Sequence, residues 1–590
     1  MAATAVRSIN EPDDGSLGRA PVSLKKPAHI AHWVDETPPL GVTLLSGLQH
    51  VGIISIALVY PLLLGRAAGL SAAGTADLLA ATMLVLGVAA LLQSLPRGPV
   101  GARFLCPPVC TAAYLAPAVL AVKTGGLALA FGMTAFGGLV EVAVSRVLRP
   151  LRPYLPPELS GLVVLLVAVS VGNLGFRSLL GVDTAHPPDA RELVVAGLTL
   201  ATMLGFSVWS RGAARLFCAL IGMVVGYAAA WIAGILTTAD FEALDAATLV
   251  SVPRFAAHGW NWDAALVFPF AIAALGTAIR GVGDITIAQK INDTDWVRPE
   301  MRSVSGGVLA NGMANVLGGL LGAHGVSTYT SSVGLSAASG VTSRRVGYAI
   351  GGMFVLLAFT PKASALFLIM PRPVIGAATL FTAAIIFVNG VQIVASRLMD
   401  ARRTFVIGLS FISGLAVDVY PGSFSGLPAG ILPVFASSLV LGTVTALLLN
   451  LFARIGVRRT QRLVVDPGGF DPAAIEAFME TQGAAWGARR DVVDRASFSL
   501  TQSIETIVEA CAPAGALDVE ATFDEFNLDL RVSYDGPPLE LPESRPTNEE
   551  ILSSEEGERR LAGFMLRRHA DRVAATFKGG RTSVLFHFDH

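Results

Sequence analysis

FLCPPVCTAAYLAPAVLAV at residues 104–122 and GVSTYTSSVGLSAASGVTS at residues 325–343 are the stretches whose reading decides the fold. Crossing a bilayer takes about 20 apolar residues of helix. Neither stretch can cross as an unbroken helix. The first carries Pro107, Pro108 and Pro117, and a proline inside a helix removes a donor and clashes with the preceding turn. The second carries Gly325, Gly334 and Gly340 among many hydroxyls, which suits a short extended segment followed by a half-helix. Backbone N–H and C=O groups released in hydrocarbon find no water. Such a segment therefore lines a cavity or is buried in protein.

Outward from these breaks, continuous apolar stretches recur near 41–64, 76–95, 126–147, 159–180, 192–209, 215–236, 264–286, 302–321, 346–368, 373–396, 403–418 and 430–453. With the broken pair they make about fourteen crossings by the length rule. The breaks fall third and tenth, the third place of each half. Paired interruptions of this kind mark the central binding site of a transporter, where half-helix N-termini offer donors to a ligand. Basic residues follow the alternation. With the N-terminus inside, Arg97 and Arg103, Arg211 and Arg215, Arg344 and Arg345, and Arg402 and Arg403 all fall in inside loops, and outside loops hold far fewer. This pattern puts both termini in the cytoplasm of a bacterial-type inner (plasma) membrane. It requires an even number of crossings, so twelve satisfies it as well as fourteen.

The chain has 590 residues, 53% hydrophobic and 15% charged, with a mean hydropathy of +0.60. Soluble domains average about 25% charged residues. The deficit is confined to one region, which divides the chain into a polar arm (1–38), a transmembrane domain (39–454) and a soluble cytoplasmic domain (455–590). The arm lacks an apolar core and reads as disordered and cytoplasmic, not as a cleaved signal. A net charge of −1 gives no reason to expect nucleic acid as a partner. Cys106, Cys110, Cys218 and Cys511 form neither a disulfide framework nor a metal cluster and read as small apolar residues. No nucleophile and base stand at usable spacing, so the membrane part is not read as an enzyme and has no catalytic residues.

Four places break the apolar rule inside the spans. Gln49 and His50 need protein partners at membrane depth, for packing or a proton relay. Arg280 and Asp284 are four apart on one helix face and can pair, in a structural ion pair or in substrate or ion coupling. Ser331, Ser332, Val333 and Gly334 lie at the start of the half-helix in the second break, with the N–H groups from Ser332 to Gly334 expected to point into the cavity. Ala112, Ala113 and Tyr114 lie in the first break. The alanines admit a flat ligand close to backbone, and Tyr114 can stack, hydrogen-bond or simply pack.

These motifs resemble those of the nucleobase/ascorbate transporter family, the uracil and xanthine permeases. Gly47-Leu48-Gln49-His50 is similar to that family's first-helix GLQH, and Gly283-Asp284 to the Gly-Asp of its eighth helix. Gly307 to Gly312 resembles the start of the ninth, with Asn311 where an Asp is common. Tyr329 through Arg344 resembles the signature of the tenth, and Pro371 to Gly376 the opening of the twelfth. The match runs in order over about 40–453. It implies an all-α polytopic fold of seven plus seven helices in an inverted repeat, divided into core and gate domains. The third and tenth helices would begin with short strands, with the small-molecule substrate between them. It also implies coupling to H⁺ or Na⁺ without a cofactor, and a homodimer in membrane lipid.

The family's acidic ligand-binding residue falls at Arg280, and its Glu/Gln and Asn of the tenth helix at Ser331 and Ser332. A cation at 280 favours an acceptor-rich or anionic ligand. The expected function is a symporter for a nucleobase such as uracil, xanthine or urate, or a related organic solute, with altered specificity. Asp284 is then the best titratable coupling residue. A membrane ligand sensor signalling through the soluble domain, or an anion carrier of the same architecture, are the alternatives.

In the soluble domain the patterns predict a helix at 497–511, strands at 516–522 and 527–534, a helix at 557–568 and a strand at 582–588. This order resembles the α/β sandwich of histidine-kinase-like ATPases, the anti-sigma-factor kinases. Glu505 to Glu509 would then sit on the Mg-binding helix, Asp535-Gly536 beside adenine, and Gly557 and Gly563 in the phosphate lid. Glu509 stands where that resemblance requires an Asn. The expectation is a degenerate module that does not bind ATP but dimerises or meets a cytoplasmic regulatory partner.

Overall fold

A chain that cannot hydrogen-bond to lipid must close its backbone bonds locally, and helix dominates up to residue 453. The computed structural model describes residues 24–590 apart from short stretches, of which 152–156, 182–187, 396–400, 428–433, 454–458 and 548–559 are the longest. Two compact units emerge, one over Val22–Asn450 and one that includes Leu451–His590.

In the first unit, α1 (Leu40–Ser55) passes through a 3₁₀ turn into α2 (Val59–Ala67). Next comes α3 (Ala72–Gln93), whose N-terminus is capped by the Ser71 side chain accepting from the Gly74 N–H. Strand β1 (Pro108–Cys110) leads into α4 (Ala112–Leu151), which is broken at Gly125 and Gly126; the latter's φ of 76° is one that glycine adopts without strain. There follow α5 (Pro157–Leu180), α6 (Ala190–Trp209), α7 (Ala213–Leu216), α8 (Cys218–Ile232), α9 (Thr238–Ala246), α10 (Val267–Asn292) and α11 (Met301–Leu321). Strand β2 (Val326–Thr328) opens α12 (Thr330–Ser339). The unit closes with α13 (Arg344–Ala358), α14 (Pro361–Leu368), α15 (Arg372–Val394), α16 (Ala401–Val419) and α17 (Ser438–Ala453).

Among the described residues, eight helices are long and apolar enough to cross a membrane, or nine if α13 and α14, bent by 79°, form one span. The chain is thus a multi-pass membrane protein. The difference from the expected fourteen lies in the short and broken elements. α12, with ten residues, is about 15 Å long, half the hydrocarbon thickness.

Residues 24–38, which composition assigns to a disordered arm, are instead tied down; residues 1–23 lie outside the described residues. The segment bridges two helix ends. The Trp33 indole N–H donates to the Asn292 carbonyl (2.9 Å) at the end of α10, and the Thr294 N–H donates to the Lys25 carbonyl (3.0 Å). On its other side, the Ala31 N–H donates to Gly340 (2.9 Å), and the Thr342 N–H donates to His32 (2.8 Å) just past α12. Asp35 pairs with Arg344.

The second unit carries a five-stranded antiparallel sheet in the order β3-β4-β5-β7-β6. Its strands are β3 (Arg459–Val465), β4 (Leu517–Phe523), β5 (Asn527–Asp535), β6 (Arg572–Lys578) and β7 (Arg581–Asp589). Helices α18 (Pro472–Trp486) and α19 (Arg490–Cys511) supply Ile475, Met479, Leu500, Ile504 and Ile507 to a core shared with Val519, Leu530, Val532 and Phe586. The three inner strands, β4, β5 and β7, and the longer α19 cover segments that the pattern predicts. The edge strands β3 and β6 escape it because both faces are largely exposed and carry no alternation. Gly557 lies outside the described residues.

Close backbone approach sets the packing of α4 on α11. A Cβ on Gly138 would stand 2.4 Å from the Val316 nitrogen, and one on Gly319 would stand 2.4 Å from the Ala135 nitrogen. Gly138→Leu is expected to cost about 1–3 kcal/mol or to prevent folding. Gly197→Leu, on α6 where nothing lies within 4 Å, should be silent within about 0.5 kcal/mol. Size-exclusion melting curves in detergent check both.

Candidate functional site

The two breaks meet. β1 and β2 pair antiparallel with Pro108 opposite Thr328, Val109 opposite Ser327 and Cys110 opposite Val326. The Thr111 N–H extends the ladder to the Gly325 carbonyl (2.9 Å), and the Tyr329 N–H to Pro107 (3.2 Å). Each break therefore satisfies backbone groups that the other has freed. Because the strands are antiparallel, α4 and α12 leave the ladder from opposite ends.

An α-helix leaves the N–H groups of its first turn without an intrahelical acceptor. At α12 these belong to Thr330 and Ser331. The sequence reading places them at Ser332 to Gly334, but the helix starts earlier, and the N–H groups of Ser332 and Val333 are both taken by the Tyr329 carbonyl (3.0 and 3.1 Å). At α4 the Ala113 N–H is capped by the Thr111 hydroxyl (3.3 Å), and Ala112 stands ahead of it in the first turn.

α10 faces this junction. Asp284, 2% exposed, accepts from the Thr328 hydroxyl (2.7 Å) on one oxygen and from the Thr330 hydroxyl (2.5 Å) on the other. It therefore straddles the point where strand becomes helix. Arg280 stands one turn earlier with its Nε 3.8 Å from Asp284, an ion pair rather than a hydrogen bond. The Arg280 side chain remains 23% exposed, and Ser331 and Gly334 are exposed beside half-buried Tyr329 and Thr330.

The other predicted residues divide. His50 is fully buried and bonds to the Ser332 hydroxyl through Nδ1 (2.6 Å), joining α1 to α12; Gln49 is half-buried. Val333 is buried with Ala278, Ile285 and Val308 and serves the core. Tyr114 is also a core residue: its ring meets Phe270 edge-on at 6.1 Å and fills the space left by Gly137 and Gly325.

The sequence reading passed over three features. Thr328 and Thr330 lie inside the quoted stretch, but their pairing with Asp284 needs tertiary structure. Tyr60, buried with its hydroxyl unpartnered, stands within electrostatic reach of Arg280 and Tyr329. Glu141, on α4, is wholly buried and bonded to the Thr277 hydroxyl and the Asn315 amide. As a lone acid in an apolar stretch it was open to the rule that singled out Asp284. Among the described residues, no group of His, Cys, Asp or Glu is arranged to hold a metal ion. The accessible groups at the junction are a guanidinium, a hydroxyl and two helix N–H groups, a set weighted toward donors.

The model of the family described as "Permease family" matches residues 41–423. The xanthine permease XanP of Escherichia coli strain K12 is 29% identical over 446 residues, which cover 73% of this chain and 96% of that protein. The uric acid permease PucK of Bacillus subtilis is 26% identical over 413 residues, covering 69% and 95%. Among solved structures, the transmembrane domain of a cyanobacterium bicarbonate transporter, BicA, aligns with a TM-score of 0.43 at 17% identity, covering 70% of this chain and 97% of that one.

Thr330→Val removes a donor to a buried carboxylate without changing shape. Hydrogen bonds to charged groups contribute about 1.5–3 kcal/mol. The variant should lose about that much stability, and Thr330→Ser should lose much less. Combined with Asp284→Asn, Thr330→Val should be less than additive because the two share one network. Thermal denaturation of the five purified proteins (wild type, three single variants and the double variant) reads this out.

Proposed function

We propose that this chain, which belongs to the permease family, moves an acceptor-rich or anionic nucleobase of the xanthine or urate type across the membrane by secondary active transport. The observation that carries the reading is Arg280. Its guanidinium is partly exposed one helical turn from Asp284, whose carboxylate holds Thr328 and Thr330 at the start of α12, where Ser331 is also exposed. Urate is an anion at neutral pH, and the carbonyl edge of xanthine is an array of acceptors. A planar guanidinium binds either more strongly than a neutral donor does.

The finer architecture follows the same reading. The elements β1 with α4 and β2 with α12 are corresponding members of a seven-plus-seven inverted repeat of about fourteen crossings. The substrate lies between the starts of α4 and α12, flanked by core and gate domains. Both termini face the cytoplasm of a bacterial-type inner membrane, the coupling ion is H⁺, and the protein works as a homodimer. An inorganic-anion carrier is the second reading, because the same donors accept small anions.

In the soluble domain, Glu505 and Glu509 lie exposed on α19, whereas Ile504 and Ile507 of the same helix enter the core. This supports a regulatory or dimerisation module without nucleotide chemistry.

Uptake of labelled xanthine, urate and uracil into proteoliposomes tests the main reading. Xanthine and urate should be preferred, and Arg280→Ala should reduce their uptake at least tenfold, the lower end of what a charge-assisted contact is worth, about 1.5 kcal/mol. A preference for neutral uracil that Arg280→Ala leaves unchanged sinks the reading, and saturable bicarbonate or sulfate uptake in place of nucleobases establishes the second. For the soluble domain, Mg-ATP should leave the unfolding temperature of the full-length protein unmoved, and a saturable upward shift would reverse the assignment.

A further inference from the structure

Among the described residues, three acids in the helices of the membrane unit are buried. Asp284 has Arg280 at 3.8 Å, and Glu158 has Arg403 at 3.0 Å. Glu141, fully buried in the second part of α4, has no cation partner among the described residues. Its neighbours are neutral. The Thr277 hydroxyl of α10 reaches Oε1, and the Asn315 amide of α11 donates to Oε2 at 2.7 Å. An unpaired charge at the centre of a bilayer costs about 3 kcal/mol on insertion scales, and the small adjustment that removes the cost is a proton.

We propose that Glu141 is a proton-binding site and carries the coupling proton; the coupling role rests on the transport reading above. The surrounding bonds suit both protonation states. Thr277 Oγ1 has one hydrogen and two lone pairs. Besides Glu141, it lies 3.1 Å from the Ala273 carbonyl and 2.9 Å from the Ala274 carbonyl. With the carboxylate ionised, Thr277 donates to it. When a proton from the aqueous side forms an O–H bond on Oε1, Glu141 donates to Thr277, and Thr277 turns its hydrogen to Ala274. Asn315 donates to Oε2 throughout. The proton therefore enters or leaves with every bond retained or replaced.

A sodium ion fits less well, since both carboxylate oxygens are already met by donor groups. The Tyr114 hydroxyl, at the start of α4, is buried without a hydrogen-bond partner and within electrostatic reach of Glu141.

The site is tied to the ligand junction in two ways. The Asn315 amide also donates to the Val326 carbonyl (2.9 Å), and the Val326 N–H donates back to Asn315 Oδ1 (2.7 Å), so β2 hangs from the residue that holds Glu141. On α10, Thr277 shares a helix face with Arg280 and Asp284 one and two turns further on. Besides Glu141, the described ionisable groups on the elements packed around it are Tyr114, Lys123 and Arg146 on α4, the mutually paired Arg280 and Asp284 with Lys290 on α10, and Arg302 on α11; of these, Tyr114 lies within electrostatic reach of Glu141. His324, ahead of β2, is engaged by the Thr111 carbonyl at 3.0 Å.

Two measurements on the full-length protein in lipid test the site. Near neutral pH, its infrared spectrum should contain the carbonyl band of a protonated carboxylic acid that Glu141→Gln removes. Glu141→Asp should move that band, and serves if the Gln variant does not fold. A wild-type spectrum without such a band, or a band unchanged in the variants, overturns the assignment whether or not any solute is carried. In proteoliposomes, an inward proton gradient should drive xanthine accumulation, and Glu141→Gln should lower that accumulation at least tenfold and remove its pH dependence. Accumulation driven by Na⁺ alone, or proton-driven accumulation that survives in Glu141→Gln, overturns the coupling role. A wild type that exchanges no nucleobase in counterflow defeats the transport reading instead, and the infrared result then decides the site by itself.

Discussion

Everything near the site depends on one constraint: a backbone broken inside hydrocarbon must find partners within the protein. Pro107 and Pro108 prevent helix in one segment, and the glycines and hydroxyls around Val326–Thr328 prevent it in the other. Each segment alone would leave several groups unpaired, at several kcal/mol each. Paired as β1 and β2, they satisfy one another over three rungs and two flanking bonds. The pairing fixes where α4 and α12 begin, and therefore where their first-turn N–H groups stand. A site built this way needs both breaks, so neither is interpretable by itself.

α10 organises what the ladder exposes. Thr277, Arg280 and Asp284 recur along one face at helical spacing, and each meets a different partner. Thr277 meets Glu141 on α4, and Asp284 meets both sides of the strand-to-helix junction, while Arg280 keeps part of its surface open. The two acids near this face are solved differently. Asp284 has a cation and two hydroxyl donors beside it. Glu141 has neutral donors alone, which tolerate either form. This difference moves the coupling residue expected from sequence, Asp284, to a positioning role under the proposal made above.

Much of this was legible in the sequence because membrane chemistry leaves few options. The prolines of the first break, the glycines of the second and the i,i+4 spacing of Arg280 and Asp284 each had a local physical reading. What was not legible depends on which elements face each other. Nothing local says that Tyr114 fills the gap left by Gly325, or that Val333 turns into the core while Ser331 turns out. The start of α12 was misplaced by two residues, because Thr330 and Ser331 read equally well as extended or helical until the Tyr329 carbonyl is seen capturing the next N–H groups. In the soluble domain the buried central strands declared themselves by alternation. The exposed edges β3 and β6 had none to show.

α12 is short enough that its stability must come from outside it; isolated helices of under about 12 residues are marginal in water. It is held at both ends. At its N-terminus Asp284 binds Thr328 and Thr330. Beyond its C-terminus, residues 31–35 bind Gly340, Thr342 and Arg344, while the same segment grips the end of α10 through Trp33 and Lys25. α10, α12 and the N-terminal segment are thereby joined by bonds at two levels of the membrane unit. A ligand at Arg280 and Ser331 contacts both helices of this clamped pair, so it cannot easily separate them. Relative motion that opens the site is more cheaply made where α12 meets other elements through fewer polar bonds. The His50–Ser332 bond to α1 is such a place: its other ring nitrogen is buried without a partner, so among the described residues this side-chain contact carries one hydrogen bond, where Asp284 of α10 makes two, to Thr328 and Thr330 at the strand-to-helix junction.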